Sequence, residues 1–359
     1  ALLREKLYPE ASINNPVDVL ATAGPEHFAA AMQALMDELN IDAVFLNFVT
    51  PFFVDTLGVA REIAAANSRS RKPIVATVMT EKKGWAETLK VIRDSGVPTY
   101  DMPETGARVL ASMGRYAALA ARPVETFVPF SGVDTARAGA ILRAAASNGL
   151  TLLPADAAFE LLDCYGIRTA RCSMASNVEE CVTAADRIGY PVVLKVEAPG
   201  VIHKTERGGV VLDLRDGDML AAQARQMAER FADCAPKFLV QEHLASGREV
   251  IVGANAVEGL GHVVMFGLGG IFVEVLKDVS FEIAPVTESE AQRMIESVRT
   301  CRLLEGLRGQ PGVDLPALSE CIRRTSQMVT SHPEIRELDI NPLVAYERGL
   351  IAADVRVML

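Results

Sequence analysis

Residues 190–212 run YPVVLKVEAPGVIHKTERGGVVL. An apolar run, Pro191 to Leu194, ends on Lys195, and a polar loop follows that carries His203 and Lys204. The pair Gly208-Gly209 then leads into a second apolar run, Val210 to Leu212. β-Branched residues on both sides of a glycine-bearing turn predict strand, loop, strand. Two lysines, a histidine and two glycines on one hairpin suit a site that handles phosphates. Lysine supplies charge, and glycine lets backbone N–H groups come close to phosphate oxygens. Each residue alone also fits a plainer role, as a solvated lysine or a structural histidine.

Further along the chain, groups of the same chemical kind recur. Phe238–Glu242 reads as a strand ending on Gln241-Glu242, and Arg248–Gly253, carrying Glu249, pairs naturally with His262–Phe266. The glycine-rich turn Gly267-Leu268-Gly269-Gly270 comes next. The carboxyl-terminal segment Glu337–Val344 and the strand Leu350–Leu359 form a hairpin that bears Asp339, Asn341 and Asp354. Strand alternation puts Asp339 and Asn341 on one face. Two or three hard oxygen ligands on one face, completed by phosphates, are a magnesium arrangement. Glu242 and Glu249 have the chemistry to bind an adenine amino group and ribose hydroxyls, and also that of ordinary surface carboxylates.

Ahead of the hairpin, Asn15 to about Arg122 alternates short apolar strands (Asp42–Val49, Lys72–Val78, Val97–Tyr100) with helices (Asp55–Asn67, Trp85–Ser95, Pro103–Ala120). That alternation predicts a doubly wound parallel sheet. Thr50-Pro51 reads as a helix opening, a side-chain cap followed by a first-turn proline. The helix behind it is the region's one candidate anion site; the alternative is an ordinary capped helix. Pro123, Pro129 and Gly132 mark a connector before an alanine-rich helix at Thr135–Ser147.

With 359 residues the chain is long enough for two or three domains, and half of it is hydrophobic. The net charge of −10, with no basic block, argues against nucleic acid and anionic membrane as partners. Six scattered cysteines without metal or disulfide spacing suit a reducing cytoplasm. No apolar run is long enough to span a bilayer. The chain starts at Ala1 without a methionine, which suits a processed, tagged or trimmed piece of something longer.

The segments YPVVLKVEAPGVIHKTERGGV, VQEHLASGREVIVG, VVMFGLGGIFVEVLKDVSFEIAPV, LLEGLRG and ELDINPLV resemble, in order, the ATP-grasp domain of NDP-forming acyl-CoA synthetases of the succinyl-CoA synthetase superfamily. NNPVDVLATAGPEHF and DAVFLNFVTP resemble the flavodoxin-like ligase domain of fused members. The implied α/β architecture is a flavodoxin-like domain at 1–125, a connector at 126–151 and a two-lobed ATP-grasp domain at 152–359. The small lobe is expected at about 175–238 and the larger at about 239–359.

By the same resemblance, Lys195, Lys204, Gly208 and Gly209 contact nucleotide phosphates, Glu242 sits at the base-binding hinge and Glu249 holds the ribose. Gly269 and Gly270 join the nucleotide-binding set. Asn341 and Asp354 hold Mg2+, Asp339 orients a phosphohistidine, and His203, in an HK(T/S)-x-x-GG motif, is a second phosphoryl carrier. His27, His243, His262 and His332 match no motif. Glu282 stands where many members carry arginine. The family's CoA-binding Rossmann domain and main phosphohistidine domain are not read in this sequence. The expected reaction is acid + CoA + ATP giving acyl-CoA + ADP + phosphate, with ATP/ADP and magnesium bound here. The carboxylic acid or acyl phosphate and CoA are expected to be met through a CoA-binding subunit or domain, in a hetero- or homo-oligomer. Two rival readings are an ATP-grasp acid–amine ligase and a non-catalytic nucleotide-sensing subunit, the latter favoured by Glu282.

Overall fold

The computed structural model describes residues 2–69, 71–80, 84–198, 207–269, 278–306, 309 and 311–359. They form two compact units, Ala1–Val124 and Glu125–Leu359.

The first unit contains helices α1 (Leu2–Lys6), α2 (Pro25–Asp37), α3 (Thr56–Arg69), α4 (Ala86–Asp94) and α5 (Pro103–Ala120). Its strands β1 (Val44–Val49), β2 (Ile74–Met79) and β3 (Thr99–Tyr100) lie in chain order in one parallel sheet. Val44, Leu46, Phe48, Ile74, Ala76 and Val78 alternate onto one face, where they meet Phe28 and Met32 of α2, Val59 and Ile63 of α3, and Leu89 and Ile92 of α4. The spacing of Val59, Ala60, Ile63 and Ala66 is what gives α3 its buried stripe. The other face carries α5: a Cβ on Gly106 would lie 2.6 Å from the Phe45 ring and 3.2 Å from Thr77 Oγ1. Helices therefore cover both faces of the sheet.

The Thr50-Pro51 helix opening is not what forms. Pro51 to Val54 make a turn, and α3 begins behind Asp55, whose Oδ1 accepts from Gly58 N at 2.8 Å. A carboxylate is the stronger cap because it is charged and the helix N-terminus is the positive end of a dipole. It also takes up the Gly58 N–H, one of the first-turn donors that an anion at this helix start would use. Thr50 Oγ1 instead bonds Thr80 Oγ1 on the loop after β2.

The second unit holds α6 (Thr135–Ser147), α7 (Ala155–Cys164), β4 (Cys172–Ala175), α8 (Val178–Ile188), β5 (Val192–Glu197), β6 (Val210–Leu214), α9 (Gly217–Arg230), β7 (Lys237–Glu242), β8 (Arg248–Val257) and β9 (Gly261–Leu268). It continues with β10 (Val279–Ile283), α10 (Glu288–Ser297), α11 (Cys301–Glu305), α12 (Leu315–Ser331), β11 (Glu337–Ala345), β12 (Leu350–Ala352) and β13 (Val355–Met358). A four-stranded sheet, β4-β7-β5-β6, makes a small lobe, and a six-stranded sheet, β10-β9-β8-β11-β12 with β13 also on β11, makes a larger one.

In the small lobe, Val192, Leu194 and Val196 of β5 are buried with Cys181 and Ala185 of α8 and with Leu220, Ala224 and Met227 of α9. Each such aliphatic side chain contributes about 1.5–3 kcal/mol on burial. Alternation then forces Lys195 onto the opposite face, toward the larger lobe. β7 pairs with β5 along its whole length, from Lys237 to Glu242. Residues 239–242, which the sequence reading gave to the larger lobe, therefore belong to the small one. The expected connector is also more than a tether. Ala138, Leu142 and Ala145 of α6 are buried in the large-lobe core. The Phe130 ring lies 4.8 Å from the Arg323 guanidinium carbon and 4.3 Å from that of Arg324.

Candidate functional site

The two sheets of the second unit meet at Lys195. Its Nζ donates to Ala353 O at 2.8 Å and lies 3.3 Å from Asp354 Oδ2. Gln241 Nε2 reaches the same carbonyl at 3.1 Å from the neighbouring strand β7. Lys195 is 7% exposed, so its charge is held in a partly desolvated place by a carbonyl and a carboxylate. That is the environment in which an ammonium interacts strongly with whatever anion enters.

The larger lobe builds the other wall from one face of its sheet. Leu338 and Ile340 of β11, Val252 and Ala254 of β8 and Val264 and Phe266 of β9 all point into the core under α7, α10 and α12. Their neighbours Glu337, Asp339, Glu249, Gly253 and Met265 therefore lie on the opposite face, the one that carries the site. Asp339 pairs across from Gly253 on one side and Arg356 on the other. A break in register between Ile340 and Leu343 turns the strand just where Asn341 stands. Asn341 N donates to Asp354 O at 3.1 Å, which draws the two expected metal residues together. Asp354 Oδ1 accepts from Val355 N at 2.9 Å, leaving Oδ2 to face Lys195.

Burial pushes the Asp339 carboxyl above its usual range and Glu337 adds to this, while the Asn341 side-chain hydrogen bond and the Arg356 charge pull the other way. A carboxylate desolvated in this manner accepts hydrogen bonds strongly, as a partner for an imidazole must. Among the described residues, no cluster of three or more His, Cys, Asp or Glu forms a ready-made metal cage. Asn341 and Asp354 fit a hard divalent cation that takes its remaining ligands from phosphate and water.

The remaining expected residues divide into four groups. Gly208 and Gly209 lie at the start of β6 beside Lys195. Gly209 O accepts from Val196 N at 2.8 Å, Gly208 has φ +66°, and its carbonyl accepts from Arg230 Nη1 at 2.8 Å. Gly269 has a packing reason to be glycine, since its N donates to Glu249 O at 2.8 Å and an added Cβ would lie 3.0 Å from Glu249 main-chain carbon. It thus seats Glu249, whose side chain stands exposed at the start of β8. Glu242 does end β7 at the link between lobes, but its carboxylate is already engaged, accepting from Arg171 N at 2.9 Å and Arg171 Nε at 2.7 Å. His203, Lys204 and Gly270 lie outside the described residues.

Glu282 pairs with Val264, a core-facing position, and so points away from the face that bears Asp339. The structural histidines have ordinary partners: His27 Nδ1 accepts from Gly24 N at 3.1 Å and His262 Nε2 bonds Ile335 O at 2.6 Å. Burial pushes the Cys172 thiol, on the strand beside Gln241, up to about 11 against the pull of Lys195. Arg356 was missed by the sequence reading. The available signal was its place two residues after Asp354, within the closing strand.

Residues 144–359 match the ATP-grasp domain family. The chain is 38% identical over 229 residues to the beta subunit of the ADP-forming acetate–CoA ligase I of Pyrococcus furiosus, spanning 98% of that subunit and 62% of this chain. The chain belongs to the ADP-forming acyl-CoA synthetase family. It is also 35% identical to the single-chain ADP-forming acetate–CoA ligase I of Archaeoglobus fulgidus, across 99% of this chain but 52% of that enzyme. It thus spans about half the length of that synthetase. Among solved structures, the dinucleotide-forming acetyl-coenzyme A synthetase 1 of Ca. Korarchaeum cryptofilum matches with a TM-score of 0.57 and 36% identity, over 62% of this chain and 99% of that one. That protein was solved with coenzyme A and Mg-AMPPCP, with a phosphohistidine segment pointing towards its nucleotide site. Lys195, Asn341 and Asp354 all lie inside the ATP-grasp match.

Proposed function

We propose that this chain is the ATP-binding part of an ADP-forming acyl-CoA synthetase. The reaction is acid + CoA + ATP giving acyl-CoA + ADP + phosphate. The observation that carries this reading is the meeting of Lys195 with Asp354 across the cleft, 3.3 Å apart and beside Asn341. A lysine from one lobe and hard oxygen donors from the other are what a magnesium polyphosphate needs on its two sides.

The chain's residues take the following roles. Lys195 leaves Asp354 for the phosphates, and the main chain of Gly208-Gly209 closes over them. Asn341 and Asp354 hold the magnesium ion, which neutralises phosphate charge and fixes the polyphosphate for in-line transfer. Because Arg171 holds the Glu242 carboxylate, the base is met by the main chain next to Glu242 and the ribose by Glu249. Asp339 accepts from one imidazole nitrogen of a carrier histidine, so that the other nitrogen carries the lone pair. That nitrogen attacks the terminal phosphorus, the bond to the bridging oxygen breaks, and ADP leaves with the electron pair. The phosphoryl group then passes to the acid as an acyl phosphate, which CoA opens with release of phosphate. His203 is one carrier. A CoA-binding subunit or domain brings the acyl group, CoA and the main carrier histidine.

The test is incubation of the purified chain with γ-labelled ATP and magnesium, wild type beside His203→Ala. Acid-labile label on the wild type that is lost in the variant supports a phosphoryl-transferring half-synthetase. ATP bound but never transferred, even with a complementary CoA-binding subunit supplied, supports a nucleotide-sensing role instead.

A further inference from the structure

Arg356, on β13, pairs directly with Asp339 of β11 and stands two residues beyond Asp354. Its neighbours Val355 and Val357 are 7% and 0% exposed and belong to the large-lobe core, so the arginine side chain is turned to the cleft face. There its guanidinium makes few good contacts within the protein. Nη1 lies 3.9 Å from Glu337 Oε1, Nη2 donates to Met358 Sδ at 3.1 Å, and Nε is shielded from solvent with no hydrogen-bond partner. A thioether is a weak acceptor, and an unpaired buried donor is costly to keep. Three carboxylates, of Glu337, Asp339 and Asp354, share this face with it.

We propose that Arg356 is a phosphoryl-binding residue, whose guanidinium holds oxygens of the terminal phosphoryl group while that group sits beside Asp339. The inference rests on the nucleotide reading above and adds to it a ligand for one end of the phosphate chain. Lys195 and a divalent cation at Asn341 and Asp354 neutralise one end of a bound triphosphate. The other end would meet the Asp339 and Glu337 carboxylates unopposed were it not for Arg356. A planar guanidinium presents parallel donors that match two oxygens of one phosphoryl group, which an ammonium does not. With its side chain 40% exposed, the guanidinium is open to an incoming phosphoryl group, whose oxygens are better acceptors for Nη2 than the Met358 thioether. ADP, which lacks that group, gains nothing from this contact.

Arg356→Gln and Arg356→Lys in the full chain test this by calorimetric titration with a non-hydrolysable ATP analogue and with ADP, both with magnesium. Arg356→Gln is expected to weaken the analogue about tenfold and ADP less than about twofold, the loss of one charge-assisted hydrogen-bonded contact. Arg356→Lys is expected to recover part of the loss. Equal weakening of the two nucleotides, or no weakening of either, overturns the proposal. If melting curves show that Arg356→Gln does not fold, Arg356→Lys alone decides, and wild-type affinity for the analogue counts against the assignment. A wild-type chain that binds neither nucleotide overturns the nucleotide reading itself, whereas binding by the wild type with an indifferent variant removes Arg356 alone.

Discussion

Replacing Lys195 by methionine keeps the length of the side chain and removes its charge, so the two roles given to that charge can be separated. In the ligand-free protein the ammonium is 3.3 Å from Asp354 Oδ2, and an ion pair at that distance is worth about 5 kcal/mol at an effective dielectric of about 20. The Asp354 side chain is 39% exposed, so water screens the pair, and about 1–2 kcal/mol is a fair net value. Lys195→Met therefore leaves Asp354 without its cation. A divalent ion that now competes with lysine would bind about tenfold more tightly in the absence of nucleotide. Nucleotide loses a charge-assisted contact to phosphate, about 1.5–3 kcal/mol, or roughly ten- to a hundredfold in affinity. The fold should survive, because Gln241 still donates to Ala353 O at 3.1 Å. The assay is a manganese titration followed by electron paramagnetic resonance, beside calorimetry with ATP. Unchanged ATP affinity would place the phosphates elsewhere, and unchanged manganese affinity would refute competition between lysine and metal for Asp354.

Other outcomes follow from the same geometry. Asp354→Asn should raise the magnesium concentration needed for ATP binding about tenfold, read from titrations at fixed nucleotide, since it replaces the only carboxylate in the pair with Asn341. Asp339 has a folded-state pKa raised mainly by burial, so its ionised form costs stability above its ordinary range and the cost disappears as pH falls through that range. Asp339→Asn should accordingly melt about 1–4 °C higher than wild type near pH 7 and lose that advantage below about pH 4, while losing phosphoryl transfer. Gly269→Ala should cost about 1–3 kcal/mol, seen as an earlier denaturant midpoint, because the new Cβ would sit 3.0 Å from Glu249 main-chain and side-chain carbon.

The strand–loop–strand pattern around Lys195 was legible because a charged residue sits inside a buried apolar alternation, and only one face of β5 can take it. The face of Asp339 followed from alternation along β11 in the same way, whereas Asp354, expected inside one strand from Leu350 to Leu359, falls in the break between β12 and β13. What escaped the sequence depends on partners distant in the chain. Nothing near Glu242 announces that Arg171, 71 positions away, will hold its carboxylate. The place of Arg356 beside Asp339 exists only once β13 pairs with β11. Thr50-Pro51 carried a good local signal for a helix start, and Asp55 displaced it because a charged cap and the apolar stripe from Val59 to Ala66 agree on a later beginning. The switch of lobes after Glu242 was hidden because β7 and β8 are both apolar strands, and only their pairing tells them apart.

The proposed function requires that phosphates and metal meet between Lys195 and the pair Asn341 and Asp354. A crystal structure of the chain with magnesium and a non-hydrolysable ATP analogue tests it most directly. The expected result is a cation bound by Asp354 and Asn341, Lys195 turned from Asp354 to the phosphates, and the terminal phosphoryl group beside Asp339. A nucleotide seated elsewhere, or one bound in the cleft with Lys195 still on Asp354 and no cation beside it, would contradict it.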